Sequence, residues 1–198
     1  AGFGRTGEWW GIDHWQVRPD ILVTSKGAAG GYFPFGFVAA RGDDVQLIYE
    51  TLGEFNHGGT FSHHAVGAAA ALATLHIIQR ENLVANAQRV GAYLGEALRH
   101  TFSEHPHVGD IRGRGLFWAL ELVQDRETKR PFTAAEKVAP RLHQAAFDLG
   151  LIVYYSQCCA DGKNGDVIML GPPLTTTEPQ VNEMLALLAK AITQQLGS

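Results

Sequence analysis

An α/β chain is predicted, with part of a larger layered domain over residues 1–107 and a small α+β domain over 108–198. Two observations carry this. Two short apolar runs, Pro19–Thr24 and Phe35–Ala40, flank a Gly/Ala loop and are followed by long helical stretches. After the breaker His105-Pro106-His107 the rhythm changes to short strands and helices in the order β-α-β-β-α.

Taken in order, the chain opens on Ala1-Gly2-Phe3-Gly4-Arg5-Thr6-Gly7, which is loop chemistry and reads as cut from something larger. Trp9, Trp10 and Trp15 read as core or interface residues. Pro19–Thr24 reads as a short buried strand ending at Ser25-Lys26-Gly27, and a second strand follows at Phe35–Ala40. Asp43 caps a short helix to Tyr49, and Gly53 to Ser62 is loop. Alanine and leucine favour a helix over Ser62–Glu81 with Ser62 as its N-cap. A second helix over Asn82–His105 carries the stripe Leu83, Ala87, Val90, Leu94 and Leu98.

In the tail, Val108–Val123 reads as a single strand. Thr133 opens a helix to Leu149, where Pro140 demands a kink or a late start. Leu151–Tyr155 and Val167–Leu170 are strands around the polar hairpin Asp161–Gly165, and Thr177–Leu196 is the closing amphipathic helix.

The 198 residues are 45% hydrophobic and 18% charged, an ordinary globular composition, with a net charge of −4. No basic stripe points to nucleic acid, and no apolar run is long enough to span a membrane. The only cysteines, Cys158 and Cys159, are adjacent and poorly placed to bridge, so a reducing cytoplasm is expected. Nine histidines are scattered without metal-ligand spacing; His63 and His64 would point apart on a helix, and no metal site is expected.

Two places carry chemistry. Lys26 follows a buried strand and precedes glycines, where α/β sheets bind ligands and where a lysine can be activated as a nucleophile. Alone, Ser-Lys-Gly favours a solvated lysine. His57-Gly58-Gly59-Thr60 ahead of a helix could hold a phosphate through backbone N–H groups and the Thr60 hydroxyl, although alone it reads better as a capping loop.

The blocks Gly2–Gly7, Trp10, His14-Trp15, Pro19-Asp20-Ile21, Ser25-Lys26-Gly27, Gly30–Gly36, His57–Phe61, Arg112–Leu116 with Glu121-Leu122, and Pro172-Pro173-Leu174 stand in one order along the chain. Together they resemble the class III aminotransferases, the ω-transaminase group of the type I pyridoxal-phosphate fold. The resemblance implies the C-terminal half of the large domain plus the small domain, with pyridoxal 5′-phosphate as cofactor. Lys26 would hold it through a Schiff base and shuttle a proton. Thr60, beside Gly59, would bind its phosphate across a homodimer interface. The implied reaction moves an amino group from an amine or ω-amino acid to a keto acid.

Departures also count. The family's Asp-Glu pair before the glycine block and its upstream phosphate loop fall outside the chain, so a missing N-terminal segment is expected as a partner. His63-His64-Ala65 replaces the usual Gly-His-Pro, and Met169 stands where α-amino-acid relatives carry a carboxylate-binding Arg. An Arg that some amine transaminases carry near position 178 is Glu178 here. Two alternatives stand beside transamination: an aminomutase or decarboxylase relative, and a non-catalytic fragment or subunit that needs a separate N-terminal half.

Overall fold

A computed structural model describes residues 2–197. By packing they fall into two compact units, one of residues 2–4 with 8–83 and one of 5–7 with 84–197.

In the first unit, β1 (Ile21–Thr24) pairs antiparallel with β2 (Phe37–Ala40), Ile21 opposite Ala40 and Thr24 opposite Phe37. Phe3 is buried against the edge of Trp10, ring centroids 4.9 Å apart. Of the core and interface roles expected for Trp15, the core one does not hold: it is 65% exposed, at the end of a 3-10 turn that Asp13 caps by accepting the Trp10 N–H.

Helix α1 (Gly42–Leu52) is longer than the stretch predicted from Asp43. Its N-cap is Arg41, which reaches over the first turn to Asp44 at 3.0 Å, and Gly53 closes it in the left-handed region. Helix α2 (Ala65–Arg80) begins three residues after the predicted cap. Ser62 Oγ is spent on the Gly59 N–H at 2.8 Å, and His63 turns left-handed at φ 58°. His64 takes over as N-cap, its Nδ1 accepting from the Gly67 N–H at 3.4 Å.

Helix α3 (Leu83–Phe102) buries Ala87, Val90, Leu94, Leu98 and Phe102 in the core of the second unit. The packing division therefore falls at 83/84, ahead of the sequence break at 105–107.

The stretch expected to be one strand is a hairpin of β3 (Val108–Arg114) and β4 (Phe117–Asp125). Its two-residue loop turns because Gly115 takes φ 53°. The tail thus gains strands over the expected β-α-β-β-α order, including the short β5 (Arg130–Pro131) paired on β4. Helix α4 (Val138–Asp148) starts late, leaving Pro140 in its first turn, where a missing N–H is harmless.

Strands β6 (Tyr154–Gln157) and β7 (Asp166–Leu170) complete an antiparallel sheet of order β3-β4-β7-β6. Trp118, Leu120 and Leu122 alternate into the core, where they join Leu142, Ile168 and, from α5 (Glu178–Leu196), Leu188 and Ile192. Area burial of this kind contributes about 25 cal/mol per Å2 of apolar surface.

Candidate active site

The connection from β1 to β2 holds the predicted nucleophile. Ser25 is extended, Lys26 takes φ 50°, and residues Lys26–Ala29 form a 3-10 turn closed by Gly30 in the left-handed region. The turn is anchored from below. Ala28 and Ala29 are buried, and a Cβ on Gly30 would lie 3.1 Å from Thr74 Oγ1 of α2. Lys26 itself is exposed and forms no ion pair with a carboxylate among the described residues. The fold holds the backbone of Lys26 while leaving its amine uncommitted.

Gly59 and Thr60 lie elsewhere in the same unit, in the loop before α2. The Gly59 N–H is donated to Ser62 Oγ, and the Ser62 N–H returns to the Gly59 carbonyl at 2.9 Å. Thr60 is exposed, with a hydroxyl that has no partner among the described residues. Of the two predicted phosphate ligands, Thr60 is therefore available and the Gly59 N–H is engaged. Nothing joins these two to Lys26 directly: the lysine turn packs on α2 at the level of Thr74, and Thr60 precedes the helix start.

The entry to α2 is built from aromatics. His64 stacks on Phe33 at 4.9 Å, and a Cβ on Gly67 would meet Phe33 and Phe35 at 2.9 and 3.0 Å. His63-His64 thus forms a cap and a stacking contact rather than a ligand pair. Among the described residues no group of three or more His, Cys, Asp or Glu could hold a metal, and no helix is long and apolar enough to cross a membrane.

The second unit carries the other blocks. Arg5 Nη1 donates to the Leu116 carbonyl at 3.4 Å and to the Pro172 carbonyl, while the Leu116 N–H returns to the Arg5 carbonyl at 3.0 Å. Burial lowers the Arg5 pKa from its ordinary value, since no carboxylate compensates the desolvated guanidinium. Asn86 Nδ2 holds the carbonyls of Leu174 and Thr176 at 2.7 and 3.1 Å. The Pro172-Pro173-Leu174 segment is thereby pinned from both ends.

Beside it opens a groove of about 770 Å3 whose walls include Phe117, Ile152, Tyr154, Met169, Pro173 and Met184. Met169 presents no charge to it. Glu178 pairs with Arg89 of α3. Sequence reasoning missed Arg5 and Asn86 as the ties of this segment, because both act over more than 80 positions along the chain.

Comparison with known proteins places these features in a family. The model of the family described as Aminotransferase class-III matches residues 1–192. The chain is 40% identical over 196 residues to the diaminobutyrate–2-oxoglutarate transaminase of Halomonas elongata, covering 97% of this chain and 40% of that protein. It is 38% identical to the taurine–pyruvate aminotransferase of Bilophila wadsworthia, covering 98% of this chain and 42% of that protein. The crystal structure of the pyridoxamine-phosphate-bound aminotransferase from Vibrio fluvialis superposes with a TM-score of 0.89 at 36% identity, covering all of this chain and 42% of that one. The chain thus spans about two fifths of the length of the relatives it matches.

Proposed function

The chain belongs to the class III aminotransferases, a pyridoxal-phosphate-dependent family of the type I fold, and on that premise we propose that it is the part of an aminotransferase that carries the cofactor-binding lysine. The protein would move an amino group from an amine or ω-amino acid to a keto acid. The observation that carries the reading is Lys26: an uncommitted amine on a turn packed against α2, in the family's block order.

When bound, pyridoxal phosphate supplies an electron sink that acidifies the C–H next to the substrate nitrogen. The residues present fit that group in part. Lys26 Nζ would hold it covalently and then carry the proton from the donor carbon to the cofactor and back. The free Thr60 hydroxyl would donate to its phosphate, with Gly59 shaping the turn that presents it. Because Thr60 sits apart from the lysine turn, we assign it to the site of a second copy in a homodimer. Residues 1–107 would belong to the large cofactor domain and 108–198 to the small one. The uncharged Met169 wall favours donors without an α-carboxylate. Groups that hold the pyridine nitrogen would come from polypeptide beyond this two-fifths share, as a missing N-terminal segment. Two free thiols suit a reducing cytoplasm.

The test is borohydride reduction with pyridoxal phosphate, followed by peptide mapping. The label is expected on Lys26 and to vanish in Lys26→Ala; a label on another lysine overturns the assignment. With an amine donor and pyruvate, the assembled enzyme is expected to yield alanine, which an aminomutase or decarboxylase would not.

A further inference from the structure

Both cysteines of the chain stand side by side where β6 ends, and the aminotransferase reading uses neither. Cys158 and Cys159 are free and exposed. Along a straight strand, neighbouring side chains point to opposite faces. The chain leaves that alternation here: Cys158 takes φ 62°, and the thiol of Cys159 turns back to 3.5 Å from the Gln157 carbonyl.

The loop that carries the pair is well tied. The Cys159 N–H donates to the Gly165 carbonyl at 3.4 Å and the Ala160 N–H to the Asn164 carbonyl at 2.9 Å. Asp161 accepts from the N–H groups of Lys163 and Asn164 at 2.8 and 2.6 Å and from Asn164 Nδ2 at 2.9 Å. The Gly165 N–H reaches the Phe132 carbonyl at 3.0 Å, which fastens the hairpin to the body of the unit. Two thiols are therefore displayed on a fixed frame, which lowers the ordering cost of anything that binds both.

The thiols are poorly placed to oxidise onto each other. A trans peptide holds adjacent Cα atoms about 3.8 Å apart, short of the roughly 4.4–6.8 Å that a disulfide spans. A single soft atom placed between the two sulfurs enlarges the ring by one member and is reached by wider sulfur positions. It must accept two thiolates and carry two exchangeable oxygens.

We propose that Cys158 and Cys159 form a bidentate thiol site for trivalent arsenic, as an arsenous or organoarsenous acid. In the binding step each Sγ forms a bond to arsenic, and each displaced As–OH group leaves as water with the thiol proton. Arsenic remains trivalent and the sulfurs are not oxidised, so no oxidant or reductant is needed. Capture by both sulfurs makes the second bond intramolecular. A dithiol should therefore hold the arsenical roughly 100-fold more tightly than either thiol alone.

The experiment uses the chain as it exists, reduced with a phosphine and treated with phenylarsine oxide. After desalting, intact mass should show one phenylarsenic per chain, both thiols should be lost to maleimide, and mapping should place the adduct on the peptide holding Cys158 and Cys159. A small dithiol should strip the adduct, while a monothiol at equal thiol concentration should not. Cys158→Ser and Cys159→Ser change exposed side chains, so both should keep the wild-type circular dichroism and lose retention by about 100-fold. The proposal is overturned if the wild-type chain emerges without arsenic, if either single variant retains it as well as wild type, or if the adduct maps elsewhere.

Discussion

Asp166 is the most informative residue to perturb in the second unit. It is 0% exposed, yet it carries a carboxylate. Its Oδ1 accepts from the Ala139 N–H at 2.9 Å and from Gln157 Nε2 at 3.1 Å. Ala139 is the second residue of α4, and Lys137, in the N-cap position, is left-handed and caps nothing with its side chain. A residue 27 positions downstream therefore serves as the cap, and its charge sits favourably at the positive end of the helix. Asp166→Ala orphans the buried Ala139 N–H and the half-buried Gln157 amide. Each charge-assisted bond contributes about 1.5–3 kcal/mol, offset by release of a buried carboxylate whose Oδ2 has no partner among the described residues. The net expected loss is about 2–4 kcal/mol. With a urea m-value near 2 kcal/mol/M, the midpoint should fall by about 1–2 M at unchanged slope. Asp166→Asn keeps an acceptor for Ala139 and should lose about 1 kcal/mol. The assay is urea unfolding followed by far-UV circular dichroism. An alanine variant within about 0.2 M of wild type would refute the capping role. Asparagine costing as much as alanine would move the weight from hydrogen bonding to charge.

Other outcomes follow from the same geometry. Burial lowers the His105 pKa below its ordinary 6.5, with the Gly197 carbonyl opposing and His107 adding to the shift. The unfolded chain then binds that proton first, so His105 contributes stability above pH 6.5 that is lost as the pH falls through its folded value. Wild type should lose midpoint on acidification from neutral pH more steeply than His105→Gln, and parallel curves would contradict this. Gly91→Ala would place a Cβ 2.1 Å from the Gly115 carbonyl carbon, and Gly115→Ala one 2.3 Å from the Thr6 carbonyl carbon. Each should cost about 3 kcal/mol or more in thermal or urea unfolding. Arg5→Lys keeps a charge but loses the Nη1 group that donates to both the Leu116 and Pro172 carbonyls, and should cost about 1.5–3 kcal/mol by the same measurement. Ser62→Ala frees the Gly59 N–H and should leave the unfolding free energy from urea within about 0.5 kcal/mol of wild type, since the pair is exposed.

What could be read from the sequence had a local physical cause. The stripe of α3, the late start of α4 at Pro140 and the closing helix α5 all follow from periodicity or from one residue's covalent limits. What could not be read depended on distant partners. Ser62 is a good cap by type, but a neighbouring turn took its hydroxyl and the helix moved to His64. Asp166 falls between the polar hairpin and the following strand, and no local signal ties it to α4. The β3–β4 turn was hidden because Gly115 follows the polar stretch Asp110–Arg114 and the apolar alternation begins only after it, so the first strand gave no periodic signal of its own. Lys26 was singled out by residue order, while its setting on α2 through Ala28, Ala29 and Gly30 emerges only from the packing.

The glycine blocks that make this family recognisable are explained less by chemistry than by contact between backbones. Gly115 has no Cβ, and the space that atom would fill is occupied by the carbonyl of Thr6. Gly91, about two turns into α3, leaves room for the carbonyl of Gly115, and a Cβ on Gly7 would press on Gln88 at 3.0 Å. Three segments far apart in sequence thus meet main chain to main chain, and Arg5 ties that junction to Pro172 at the rim of the apolar groove. A side chain at any of these glycines would push the segments apart before it touched a substrate. The spacing of such motifs therefore reports how the second unit closes around residues 5–7. The catalytic claim rests on Lys26 and Thr60, whose polar atoms the fold leaves unengaged.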